Sequence, residues 1–129
     1  MLAVDTNVVV RYLVNDDAAQ AARARRLLER EDIFVPLTVL LETEWVLRGV
    51  FGFAPAAVTR ALRDFAGLAR VTVESTASVA IALEWAAGGL DFADALHLAA
   101  ARPHAGFVSF DKALARAARR LNSGTAREP

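Results

Sequence analysis

Four acidic residues have the type and surroundings to do chemistry in this chain: Asp5, Glu42, Asp94 and Asp111. Asp5 and Asp111 each follow a short apolar run, Leu2-Ala3-Val4 and Phe107-Val108-Ser109-Phe110, while Glu42 and Asp94 fall near the starts of helical stretches. Four carboxylates gathered at one edge of a sheet would repel one another, and an ordinary core has no use for that. A hard divalent cation does. Magnesium takes oxygen ligands at about 2.0–2.1 Å and keeps several waters. With no cysteine in the chain and no paired imidazoles, the cluster points to magnesium, with manganese able to substitute, and away from zinc.

Each acid also has a plainer reading. Asp is a favoured helix N-cap, so Asp5 and Asp111 could simply cap the helices that follow them. Asp91 and Asp94 have the three-residue spacing of a capping box. That spacing makes Asp91 mainly the cap and leaves Asp94, one turn in on the face shared with Leu98, for chemistry. The stretch Thr38–Arg48 is apolar nearly all round, and a helix of that kind is expected to be buried. Glu44 has Arg48 four residues on as an ion-pair partner. Glu42 has no cation one turn away: either it simply reaches solvent or, the reading favoured, it is a buried, unpaired carboxylate of the kind that metals hold.

The elements that must position these acids repeat one unit, a short apolar strand followed by two helices. Strands are predicted at 2–4, 33–35, 71–73 and 107–109. Helices are predicted near 7–14, 17–30, 38–49, 55–66, 76–87, 92–102 and 112–121. Strands that are continuous apolar runs, with no alternation, suit a sheet covered on both faces. Parallel strands joined by helical crossovers give an α/β fold, a three-layer α/β/α sandwich with a short central parallel sheet. Ligands of such sheets bind outside the carboxyl ends of the strands, where Asp5 and Asp111 fall. Pro55 suits the first position of a helix, Thr76 an N-cap, and Gly67 and the Gly88-Gly89 pair mark helix ends.

At 129 residues the chain reads as one domain over 1–121 with a polar, disordered tail over 122–129. The apolar share of 55% suggests either little irregular structure or a surface shared with a partner. No apolar run is long enough to span a bilayer, and nothing basic precedes Leu2. No signal peptide is therefore expected, and the absence of cysteine suits a cytoplasmic location. The formal net charge is zero. Setting four carboxylates aside around a metal leaves eleven acids against fifteen bases, fourteen of them Arg.

Asp5-Thr6-Asn7 after an N-terminal strand, the lone Glu42, Leu90-Asp91-Phe92-Ala93-Asp94-Ala95-Leu96-His97 and Ser109-Phe110-Asp111 together resemble the PIN domain, most of all the VapC-type toxins. The resemblance covers residues 1–121. It implies an acidic site of Asp5, Glu42, Asp94 and Asp111, with Asp5 and Asp94 the most dependable metal ligands and Thr6, Asn7 and Ser109 supporting them. Ser109 stands where the family often has Thr. The implied reaction is metal-assisted hydrolysis of RNA phosphodiester bonds. The implied partners are an RNA substrate with single-stranded loops, a cognate antitoxin protein and a second copy of the chain in a homodimer, with no membrane involved.

Arg23, Arg25, Arg26 and Arg30 lie on one helix and Arg116, Arg119 and Arg120 on another. Either group could track an RNA backbone or form a solvated face. His97 and His104 are expected to be structural or superficial. Trp45 and the run Val50-Phe51-Gly52-Phe53 place aromatic groups around a turn. They fit either a staple onto the next helix or a dimer or antitoxin surface, with the second favoured. A receiver-type or aspartyl-phosphate phosphatase reading lacks a Lys from a separate strand end, since Lys112 follows Asp111 directly. A non-catalytic PIN relative would be expected to lack one of the four acids.

Overall fold

The computed structural model describes residues 1–121 and 124–129, which group into two compact units, Met1–Thr76 and Ala77–Pro129. The chain is helix-rich α/β with short parallel strands.

In the N-terminal unit, β1 (Leu2–Ala3), β2 (Ile33–Val35) and β3 (Val71–Val73) form a parallel sheet in the order β1-β2-β3. Leu2 pairs with Ile33, and Ile33 with Val71. Two helices separate each strand from the next, the length of connection that a parallel crossover demands. These are α1 (Thr6–Leu13) and α2 (Ala18–Arg30), then α3 (Leu37–Trp45) and α4 (Pro55–Ala66). Between α3 and α4 the chain continues as a π-helical turn over Val46–Val50. The expected helix to residue 49 therefore changes pitch after Trp45. Pro55 occupies the first turn of α4, as its sequence context predicts.

The core of this unit is built from Val9, Ile33, Val35, Leu40, Leu62 and Phe65, all nearly inaccessible. A fully buried side chain of this size contributes about 1.5–3 kcal/mol. Tyr12 tilts against Phe65 with ring centroids 5.8 Å apart. On α2 the buried residues Ala21, Ala24 and Leu28 follow i, i+3, i+7 spacing, while Asp17 accepts a hydrogen bond from the Gln20 amide at 3.0 Å and caps the helix.

In the C-terminal unit, α5 (Thr76–Ala87), which begins at the boundary, and α6 (Phe92–Ala101) precede β4 (Phe107–Val108). The unit ends with α7 (Lys112–Arg120) and β5 (Ala126–Arg127). β4 and β5 are parallel, with Phe107 paired to Ala126. Leu98, Leu114, Ala115, Ala118 and Ala126 form a buried cluster, with Trp85, Leu90 and Phe107 packed against it. Gly89 takes φ +110°, a conformation that needs glycine, between α5 and α6.

Several expectations are corrected here. Residues 126–127 of the tail expected to be disordered add a strand to β4, and the burial of Ala126 anchors it; Asn122 and Ser123 lie outside the described residues. In β2 one face, with Ile33 and Val35, is buried, and the other, with Phe34, is half-buried, so the expected covering of both faces is only partly met. It is not met for β1 and β4, where Leu2 and Val108 are about half exposed. Thr76 opens α5, but its hydroxyl donates to the Val73 carbonyl at 2.7 Å, closing the strand end in place of capping the helix. Gly67 ends α4 with φ −86°, so the left-handed freedom of glycine is not used there.

Candidate active site

Asp5 leaves β1 with extended backbone, and its carboxylate accepts the Thr6 amide at 2.8 Å as the N-cap of α1. Thr6 is buried, and its hydroxyl donates to a Glu42 carboxylate oxygen in a short hydrogen bond between α1 and α3. One residue therefore orients two of the four candidate carboxylates, by its amide and by its hydroxyl. Asn7 is exposed beside them. A cavity of about 420 Å³ is lined by Asp5, Thr6, Asn7, Arg11, Asp16 and Glu42.

Glu42 itself is exposed, which corrects the expectation of a buried, unpaired carboxylate. The buried acid of α3 is Glu44, held by Arg48 at 2.9 Å. Trp45, on the helix expected to be buried all round, is 56% exposed. The apolar count of the helix is correctly read. Which of its faces is covered depends on α1 and α4, elements distant in sequence that pack on it.

In the C-terminal unit, Asp91 caps α6 and accepts the Asp94 amide at 3.2 Å, the division of labour that the spacing suggests. Asp94 is partly buried. Burial pushes its carboxyl above the ordinary value of 3.8, the negative charges of Asp91 and Asp111 push it further, and His97 opposes them. His97 is exposed one turn along α6. Asp111 caps α7 by accepting the Leu114 amide at 3.0 Å, and the Ser109 hydroxyl oxygen accepts the Asp111 amide at 3.0 Å. Capping, left open for Asp5 and Asp111, is thus a role that both fill, and it leaves further carboxylate lone pairs for a ligand.

The acids fall into two groups, Asp5 with Glu42 in one unit and Asp94 with Asp91 and Asp111 in the other. Among the described residues, no three His, Cys, Asp or Glu side chains are grouped to hold a metal ion. The donors at hand are nonetheless carboxylate and hydroxyl oxygens without a thiolate, the set that suits a hard divalent cation. Arg11 and Asp16, which share the cavity with Asp5 and Glu42, were not marked by the sequence reasoning. For Arg11 the signal is its one-turn spacing from Asn7 along α1, whereas Asp16 lies beyond that helix and carries no such signal.

No helix among the described residues is long and apolar enough to cross a membrane. No curated protein matches the chain. The family model described as PIN domain matches residues 2–120, and this chain belongs to the PIN domain family, whose members are generally nucleases.

Proposed function

We propose that this protein is a magnesium-dependent endoribonuclease and the toxin of a toxin–antitoxin pair. The observation that carries the reading is Asp94. It is a partly buried carboxylate whose ionisation is opposed by burial and by two neighbouring aspartates. A fold that keeps such a group pays for it in the free state, and a divalent cation relieves the repulsion. Family members typically use divalent metals.

On the family's pattern, Asp5, Glu42, Asp94 and Asp111 are the residues that would hold the metal. When bound, it would supply a water of lowered pKa and neutralise charge on the phosphate. The chain's own part is orientation. Thr6 holds the carboxylates of Asp5 and Glu42. Ser109 and Asp91 accept the backbone amides of Asp111 and Asp94 and fix the chain there, and the Asp111 carboxylate is itself held by the Leu114 amide. In the metal-free protein the Asp94 carboxyl is held above the ordinary value by burial and by Asp91, so it keeps its proton to higher pH than an unperturbed aspartate does.

The antitoxin and a second copy of the chain are assigned to the apolar surface of α3 and the turn after it. There Trp45, Val50 and Phe53 are exposed, and Phe51 stacks on Phe53 with centroids 6.0 Å apart. Protein purified free of any partner should cleave RNA with magnesium or manganese and stop on addition of EDTA. EDTA-resistant cleavage, or hydrolysis of small phosphate monoesters without RNA cleavage, overturns the nuclease reading. A neighbouring reading frame for a small DNA-binding protein supports the toxin role.

A further inference from the structure

We infer that the outward face of α2 is a track for the backbone of single-stranded RNA, leading away from the Thr6 cavity by way of Arg11, Arg23, Arg26 and Arg30. The inference rests on the nuclease reading for its substrate, and on the geometry of the N-terminal unit for its path.

Three cavities adjoin along this face. The cavity of about 420 Å³ that holds Asp5 and Glu42 shares Asn7 and Arg11 with one of about 530 Å³, whose wall also contains Gln20 and Arg23. That second cavity shares Arg23 and Leu27 with a third of about 320 Å³, lined further by Arg26 and Arg30. Each shared side chain is a common wall, so the surface from Asp5 to Arg30 is continuous. No carboxylate lines the middle cavity, and Glu31 is the acid met at the far end.

Helical spacing accounts for the stripe. Ala21, Ala24 and Leu28 are buried, and Arg23, Arg26 and Arg30 lie two residues on from each, about 200° around the helix. All three arginines are exposed, and none has an ion-pair partner among the described residues. They succeed one another at about 4.5 and 6 Å of helix rise. Arg11 joins the stripe to the acidic cavity, its Nε donating to Gln20 Oε1 at 2.7 Å and its Nη1 lying 3.4 Å from Asp16. That pair is partly exposed and weak, so a phosphate can replace Asp16. Guanidinium groups bind phosphate oxygens in pairs and also stack on bases, which suits an unpaired strand. Arg25, adjacent in sequence, lies elsewhere and lines a separate cavity with Tyr12 and Arg70.

The test is binding without cleavage. A fluorescein-labelled oligouridylate is titrated in EDTA and followed by anisotropy over a range of salt concentrations. Each phosphate contact on a single strand contributes about 0.7 to the slope of log K against log salt. Arg26→Gln should lower the slope by about 0.7, and the triple change of Arg23, Arg26 and Arg30 to Gln by about 2, whereas Arg25→Gln should leave it unchanged. Gln is nearly as good a helix former as Arg, so thermal melts of the variants should match the parent. An unchanged slope in the triple variant, or an equal loss from Arg25→Gln, overturns the track. So does polyglutamate binding that depends on the three arginines while RNA binding ignores them, which would make the face a protein-docking surface. Slopes that respond as expected in a protein that cleaves no RNA with magnesium keep the track and reject the nuclease reading. Cleavage with unresponsive slopes does the reverse.

Discussion

Around Thr6, two carboxylates each receive a donor from one buried residue. Around Asp94, burial and two further aspartates disfavour the charge of one carboxylate. Asp5 and Glu42 are exposed, whereas Asp94 is partly buried and has Asp91 and Asp111 pushing against its ionisation. The same side-chain chemistry is therefore satisfied in one region and frustrated in the other. The lesson concerns cost. A carboxylate held by a hydroxyl and facing water adds little strain, while one crowded by its own kind persists where something else compensates for it.

The largest expected effect comes from removing the frustrated charge. Asp94→Asn should lower RNA cleavage by about 100-fold or more, as loss of a transition-state electrostatic group does. It should also raise the melting temperature of the metal-free protein and shrink the rise that magnesium produces. Melts of both proteins with and without magnesium check this. A variant that melts lower, with the magnesium response intact, would make Asp94 merely a member of a capping box.

On the satisfied side, Thr6→Val keeps the amide bond to Asp5 and deletes the donor to Glu42. Cleavage should fall about 10–100-fold, the range seen when a residue orienting a metal ligand is lost. Stability should drop by about 0.5–1.5 kcal/mol. Thr6→Ser should restore most of the activity. Equal activity in the Val and Ser variants would show that the hydroxyl does not orient Glu42.

The two regions should also separate by pH. Asp94 binds its proton more tightly folded than unfolded, so its contribution to stability is fully present below the unfolded value and is lost as pH rises through the folded one. Metal-free protein should accordingly gain stability from this group as pH falls through its folded value toward the unfolded one, and urea unfolding should show that gain reduced in Asp94→Asn. If the pH dependence of the two proteins is identical, Asp94 is not the frustrated group.

The smallest effect distinguishes the neighbours. Asn caps a helix as well as Asp, so Asp91→Asn and Asp111→Asn should each preserve their helices. Both should lower the Asp94 carboxyl pKa, the Asp91 change more than the Asp111 change, following the order of their influence. Carbon-detected NMR titration of Asp94 reads this directly, and the opposite order would mean that Asp111 is its nearer charge.

Much of the molecule is legible in local sequence because caps and turns span three or four residues. Asp17 and Asp91 as N-caps, Pro55 in the first turn of α4 and the apolar runs of β2 and β3 all follow from near neighbours. The amphipathic pattern of α7, with Leu114, Ala115, Ala117 and Ala118 buried, is equally local.

What the sequence alone determined was the set of carboxylates, the oxygen-only chemistry they suit and the helices that carry them. The tertiary structure decided which acid of α3 is buried, because both Glu42 and Glu44 sit among apolar neighbours and a helix without a polar face does not announce which side will be covered. It decided that Thr6 joins Asp5 to Glu42 across 36 positions, and that the end of the chain returns to pair with β4. It also separated Arg25 from Arg26, setting them in different cavities although they are consecutive. Such outcomes depend on contacts between elements far apart in the chain, where the energy gained on packing overrides what any single segment prefers.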